Sequence, residues 1–254
     1  MNELALFAGA GGGILGTKLL GWRVVCAVEI DPYCREVLLR RQEEGILEAF
    51  PIWDDVRTFN GTMWRGKVDV VTGGFPCQPF SVAGKQKGTA DERNMWPETI
   101  RVIQEVRPQY VLLENVPGIQ RYLPVVIRDL RRAGYTVKRP IELTASDVGF
   151  YHYRARLWII GFNADGTNGA RERGPCGENM VSPFRATPQT IEAKERWLSE
   201  LVSANVTQRV TSYSGALRSL HGLEYRVDRL KALGNGQVPL CVKVAWEILI
   251  KEVI

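Results

Sequence analysis

The run Gly73-Gly74-Phe75-Pro76-Cys77-Gln78-Pro79-Phe80-Ser81 places one thiol between two prolines, on a loop that follows the apolar segment Val68 to Thr72. The glycines let the chain turn sharply where that strand ends, and the prolines stiffen the loop on either side of the sulfur. A cysteine held this way is placed to act as a nucleophile. The thiolate is the reactive form, and nearby positive charge or a helix N-terminus supplies it. Lys85, Lys87 and Arg93 lie just downstream and can provide that charge. A buried structural cysteine would account for the thiol alone, but not for the glycines, both prolines and the groups described next.

Glu114 ends the apolar run from Tyr110 and precedes Asn115-Val116-Pro117-Gly118. A carboxylate at the C-terminal end of a buried strand sits on the ligand-binding edge of an open α/β sheet. Burial there raises its pKa and makes it a proton donor near neutral pH. Arg154 and Arg156 open the segment that runs to Gly161. Two apart in a strand, they share a face and can bind carboxylate, phosphate or a base carbonyl, or form only a charge pair on an edge strand.

Gly9-Ala10-Gly11-Gly12-Gly13 follows the strand-like Leu4 to Ala8 and leads into a helix from Ile14 to Leu20. Strand, glycine turn and helix expose bare backbone N–H groups to a ligand. Such a loop serves dinucleotides, phosphates and S-adenosylmethionine alike, and no Gly-Lys-Ser/Thr closes it as a P-loop. Val24 to Val28 is a second strand ending in Glu29-Ile30-Asp31. An acid there, about 20 residues past the glycines, is where a ribose diol is gripped. Trp53-Asp54-Asp55-Val56 reads as the end of a third strand, whose acid can accept from an adenine amino group.

These groups need a scaffold, and the chain can build one. Its 254 residues, 45% hydrophobic and 24% charged, allow one large core plus a small insert and argue against disorder. Five cysteines without a CxxC pair suit neither a disulfide framework nor a zinc site, so no metal is expected and a reducing, cytoplasmic setting is. Met1-Asn2-Glu3-Leu4 runs straight into a strand, with no secretory signal, and no apolar run is long enough to cross a bilayer. The net charge of +5 hints at a polyanion partner. From Arg121 to Arg156 eight Lys/Arg face three acids, of which Arg128 to Arg132 read as a solvated helix face.

Helices are expected from Pro32 to Glu44, Met95 to Val106 and Leu123 to Ala133, with strands at Thr136 to Lys138 and Ile141 to Leu143. Gly84-Lys85-Gln86-Lys87-Gly88 is polar and glycine-flanked, and fits a mobile lid or a plain surface loop equally. From Phe162 the texture changes. Asn163 to Gly177 reads as an irregular linker and Thr190 to Val202 as a helix. Phe162 to Glu224 holds seven basic and seven acidic residues, so this region is neutral. Regular structure resumes at Arg226, with a tight turn over Leu233 to Pro239 and an apolar closing helix over Leu240 to Ile250.

In this order the segments resemble the C5-cytosine DNA methyltransferase family. Leu6-Phe7-Ala8-Gly9-Ala10-Gly11-Gly12 is similar to its first cofactor motif, and Gly74 to Ser81 to its catalytic Pro-Cys loop. Glu114-Asn115-Val116, Arg154-Ala155-Arg156 and Gly234-Asn235-Gly236-Gln237-Val238-Pro239 resemble its Glu-Asn-Val, paired-arginine and closing motifs. His152 stands where the family usually has Gln, preceded by Tyr151 in place of Pro, and the region from 163 to 225 is short for target recognition.

The resemblance implies an α/β, Rossmann-like S-adenosylmethionine-dependent methyltransferase fold with a small, irregular target-recognition region. It implies a catalytic and cofactor-binding domain over 1–162, a recognition region over 163–225 and a C-terminal return over 226–254. Cys77 would attack C6 of a flipped cytosine; Glu114 would hold N3 and the amino group; Arg156, with Arg154 behind it, would contact the base carbonyl and steady Glu114. Phe7, Ala8, Gly9, Gly11, Gly12, Glu29, Ile30, Asp55, Val56, Pro76 and Asn235 would line the S-adenosylmethionine pocket. Gln78, Ser81, Lys85, Lys87, Arg93 and Asn115 would contact substrate. The implied protein is a monomer acting on double-stranded DNA, with a companion restriction enzyme as a candidate further partner. The competing readings are an RNA cytosine-5 methyltransferase, an inactive DNA-binding paralogue, and a nicotinamide dehydrogenase, which leaves Cys77 and Glu114 unexplained.

Overall fold

The computed structural model describes residues 1–76, 94–163, 184–185 and 226–251. The strands among them are β1 (Asn2–Leu6), β2 (Arg23–Val28), β3 (Ile52–Trp53), β4 (Val70–Gly73), β5 (Tyr110–Asn115), β6 (Thr136–Val137), β7 (Ile141–Leu143), β8 (Arg156–Phe162) and β9 (Phe184–Arg185). The helices are α1 (Gly12–Lys18), α2 (Pro32–Glu43), α3 (Trp96–Val106), α4 (Leu123–Arg132), α5 (Arg226–Asn235) and α6 (Pro239–Lys251). The strands form one sheet in the order β3-β2-β1-β4-β5-β8-β7-β9, with β6 alongside β8. Strands β3 to β5 are mutually parallel, whereas β8 runs antiparallel to β5, β6 and β7. The strand order reverses between β1 and β4, and a crevice at such a switch point is where open α/β sheets bind ligands.

Alternation along the central strands explains why both faces of the sheet are covered. Val111, Leu113, Leu157 and Ile159 join the core under α3 and α4. Leu112, Trp158 and Ile160 turn the other way and pack with Leu240, Cys241, Ala245 and Trp246 of α6. The Trp246 ring meets Trp22 and Tyr110 edge-on, at 4.7 and 5.3 Å between centroids.

Several boundaries differ from the sequence expectation, each for a local reason. Strand β1 stops at Leu6 because Phe7 takes φ 53°, a left-handed conformation incompatible with a strand. Helix α1 starts at Gly12 because Gly11, at φ 84°, is its N-cap. Strand β8 begins only at Arg156, so Arg154 lies ahead of it and does not share a strand face with Arg156. Helix α5 runs through Gly234 to Asn235, which shortens the expected turn to Gly236, Gln237 and Val238. The helix expected at Thr190 to Val202 and the linker beyond 163 lie outside the described residues. No helix among the described residues is long and apolar enough to cross a membrane.

Candidate active site

The C-terminal ends of β1 and β4 open onto a cavity lined by Phe7, Ala8, Gly9, Gly13, Gly74, Glu114, Asn235 and Gln237, among others. One recess thus joins the glycine turn, the end of β5 and the segment that precedes α6. Phe7 sits on its wall with the positive φ noted above, a conformation that costs a bulky residue about 1–3 kcal/mol and collects at ligand sites.

On the side where the sequence places a cofactor, Glu29 is buried at the end of β2. Its Oε2 accepts the Gly9 N–H at 2.6 Å and its Oε1 the Asp31 N–H at 2.8 Å. Burial pushes its carboxyl above the usual range, against those two bonds. Each oxygen keeps acceptor capacity for a hydroxyl. Ile30 beside it is 58% exposed, a bare apolar surface that suits a flat ring. Asp31 serves as helix N-cap instead, accepting from Tyr33 N and Cys34 N, and Lys231 Nζ of α5 donates to it at 2.8 Å. Gly11 and Gly12 act through packing: a Cβ on Gly11 would meet Leu38, and one on Gly12 would overlap the Gln237 carbonyl.

Three further residues expected at the cofactor have partners within the chain. Asp55 forms a two-pronged ion pair with Arg57, at 3.0 and 2.7 Å, and accepts the Arg57 N–H. That pairing holds its carboxyl below the usual range. Val56 is buried in the core with Phe59, and its carbonyl accepts from Arg101 Nη2 at 2.6 Å. Pro76 is exposed, and its carbonyl accepts the Met95 N–H at 3.2 Å.

At the end of β5, Glu114 is 6% exposed. Register sets its partner: Glu114 faces Trp158 across the β5–β8 ladder, so Arg156, two residues before Trp158, lies diagonally on the same face. Arg156 Nε meets Glu114 Oε1 at 2.7 Å, and Gln237 Nε2 donates to Oε2 at 3.3 Å. Burial raises the Glu114 carboxyl above its ordinary range even against the Arg156 charge. A group so placed can hold a proton and deliver it within a hydrogen bond of a ligand. Arg154 instead reaches the closing segment, where its Nη2 donates to the carbonyls of Gly234 and Gly236, both at 2.6 Å.

Asn115, expected at the substrate, spends its amide on the scaffold. Its Nδ2 donates to the Phe75 carbonyl at 2.8 Å and its Oδ1 accepts the Val116 N–H. With the Met95–Pro76 bond and the Phe75–Trp96 ring contact at 5.1 Å, it anchors the chain up to residue 76. Cys77, Gln78, Ser81, Lys85, Lys87 and Arg93 lie outside the described residues. Two features went unread in the sequence. Gln237 carried no signal beyond its place in a motif. Glu3, buried behind the cavity, accepts from Thr17 Oγ1 and, at 2.5 Å, from Thr72 Oγ1, and burial pushes its carboxyl up to about 7.

Residues 1–232 match the sequence profile of the C-5 cytosine-specific DNA methylase family. The Type II methyltransferase M.NgoMIV of Neisseria gonorrhoeae is 36% identical over 173 residues, covering 66% of this chain and 53% of its own length. The Type II methyltransferase M.Eco47II of Escherichia coli is 35% identical over 259 residues, covering 96% of this chain and 61% of its own. The chain therefore spans less than two thirds of either relative. Among solved structures, Spodoptera frugiperda DNMT2 aligns with a TM-score of 0.55 at 22% identity, over 74% of this chain and 55% of that one, a likeness of fold. The described residues form the same mixed α/β arrangement, and with most of its length matched by the profile, this chain belongs to the C-5 cytosine-specific DNA methylase family.

Proposed function

We propose that the chain is a DNA (cytosine-5-)-methyltransferase that uses S-adenosylmethionine and a covalent bond between Cys77 and C6 of a flipped cytosine. The observation that carries this reading is the shared cavity: the glycine turn and the Arg156-paired Glu114 line one recess. A methyl donor on the first and a base on the second would lie side by side. Glu29, Ile30 and the bare backbone of the glycine turn fit the donor's ribose and adenine. When bound, S-adenosylmethionine supplies an electrophilic methyl group.

The chain's own residues solve the remaining difficulty, that C5 of cytosine is too electron-poor to be methylated directly. The Cys77 thiolate adds to C6 and forms a C–S bond, while Glu114 gives its proton to N3. The ring electrons then sit on an enamine whose C5 is nucleophilic. After methylation, a base takes the C5 proton, the C–S bond breaks, N3 returns its proton and the thiolate is regenerated. Arg156 holds Glu114 in place through Nε, and in this reading it would contact the base carbonyl. Both ring faces must be reached, so the cytosine leaves the stack, as in other enzymes that do chemistry on a base.

Residues 1–162 and 226–254 form the catalytic unit in this reading, and 163–225 the target-recognition region. The packing of α6 against α1, β7 and β8 supports the return of the C-terminal segment. The protein would work in the cytoplasm as a monomer on double-stranded DNA. The relatives' designation as Type II methyltransferases makes a companion restriction enzyme a candidate partner.

Bisulfite sequencing of DNA from cells expressing the chain tests this directly. Methylated cytosines in one sequence context are expected. Unmodified DNA, together with methylation of tRNA by the purified protein, would move the substrate to RNA; no methylation of either would end the proposal.

A further inference from the structure

Gln237 lines the cavity, and the mechanism above gives it no task. Gln237 sits between α5 and α6, and its Nε2 points at the oxygen of Glu114 that Arg156 does not hold. The two carboxyl oxygens are thus tied from opposite sides, one by strand β8 and one by the closing segment. The glutamine has little freedom to withdraw. A Cβ on Gly12 would overlap its carbonyl, one on Gly13 would overlap its Oε1, and one on Gly74 would stand 3.1 Å from its Nε2 and 2.7 Å from Glu114 Oε2. Glycines from α1 and from the end of β4 leave the space that the glutamine fills.

The side-chain type matters as much as the contact. The last torsion of a glutamate is broad, so one ion pair does not define the plane of its carboxyl. A second donor on the other oxygen does. A second cation would also favour the ionised form and spoil a proton donor, whereas a neutral amide orients the group at far smaller electrostatic cost. We propose that Gln237 is a positioning residue for methyl transfer, acting through Glu114 by fixing the plane of its carboxyl and bracing it on the glycine turn. The proposal rests on the cytosine-5 methyltransferase reading.

Among the described residues, the charged groups facing Glu114 are Arg156 and Arg154, and the titratable neighbour from α6 is Cys241. The glycine turn and the end of β4 present no ionisable side chain. The test uses the full chain with Gln237→Met, which keeps length without the donor, and Gln237→Glu, which keeps shape and adds a negative charge. Active chains are counted by covalent capture on 5-fluorocytosine DNA. Per active chain, Gln237→Met should lower kcat about tenfold or more, the loss expected for one hydrogen bond to a buried carboxyl, with KM for S-adenosylmethionine within about twofold.

The pH profile separates positioning from mere folding. Activity needs the protonated acid and falls as pH rises through its pKa. Loss of a donor to the carboxylate raises that pKa, so the alkaline limb of kcat should move to higher pH, and further for Gln237→Glu. An unchanged kcat and alkaline limb per active chain in both variants would overturn the proposal. A fall in captured chains with normal kcat would overturn it too. A wild-type chain that methylates neither DNA nor RNA would instead remove the reading beneath it.

Discussion

Cys77 and Glu114 divide the proposed chemistry between a nucleophile and a proton donor, and each role can be removed by changing one atom or one group. Cys77→Ser should still bind duplex DNA but lose turnover by more than about 1000-fold, as loss of a nucleophile typically does. Steady-state methylation and a DNA-binding titration on the same preparation check both halves, and full activity would falsify the nucleophile assignment. Glu114→Gln keeps the shape and the hydrogen-bonding edge but has no proton to give, so kcat should fall about 100- to 10,000-fold. A near-normal rate would remove it from the donor role. What the sequence made legible here is uneven. Two prolines around a thiol and an acid at a strand end are readable signs. Asn115 gives no such sign, because nothing local says that its amide donates to the Phe75 carbonyl, 40 residues away in sequence.

At the scale of elements, α1 and α6 decide whether the cavity keeps its shape. They cross where α1 presents a glycine. A Cβ on Gly16 would lie 2.5 Å from the Pro239 carbonyl oxygen and 2.6 Å from Val242 Cβ. Two effects oppose each other in Gly16→Ala. Alanine is the better helix former by about 1 kcal/mol. Overpacking against a backbone carbonyl and a β-branched side chain costs about 1–3 kcal/mol, because neither neighbour can swing aside. Packing should win, and urea unfolding should show a net loss of up to about 2 kcal/mol. A more stable variant would mean that the two helices separate easily. The close approach also explains how the closing segment reaches the site: Gln237 enters the cavity because α6 starts directly over α1.

At the scale of the whole molecule, Glu3 ties β1, β4 and α1 together beneath the cavity through Thr72 and Thr17. Its carboxyl is 1% exposed and burial raises it from 4.5 to about 7. A raised carboxyl stabilises the fold fully below its unfolded pKa, and that contribution is lost as pH rises through the folded one. Stability should therefore fall by about 3 kcal/mol between pH 4.5 and 7 on this account. Glu3→Gln cannot ionise and should flatten that slope in denaturant melts taken across the window. An identical slope in the variant would show that Glu3 does not carry it.

By its family resemblance the sequence implied the class of fold, while the residues themselves settled the order of strands and helices up to residue 162 and the chemical types gathered at the strand ends. Those follow from local patterns: apolar periodicity, glycine turns and acids that terminate buried strands. It could not settle who touches whom. Arg154 and Arg156 look equivalent two residues apart, yet one clamps Gly234 and Gly236 and the other holds Glu114. Asp55 looks unpartnered in the sequence, yet Arg57 folds onto it. Register across the β5–β8 ladder and the crossing of α1 with α6 made those assignments, because contacts between distant segments depend on how whole elements pack, which no short stretch of chain encodes.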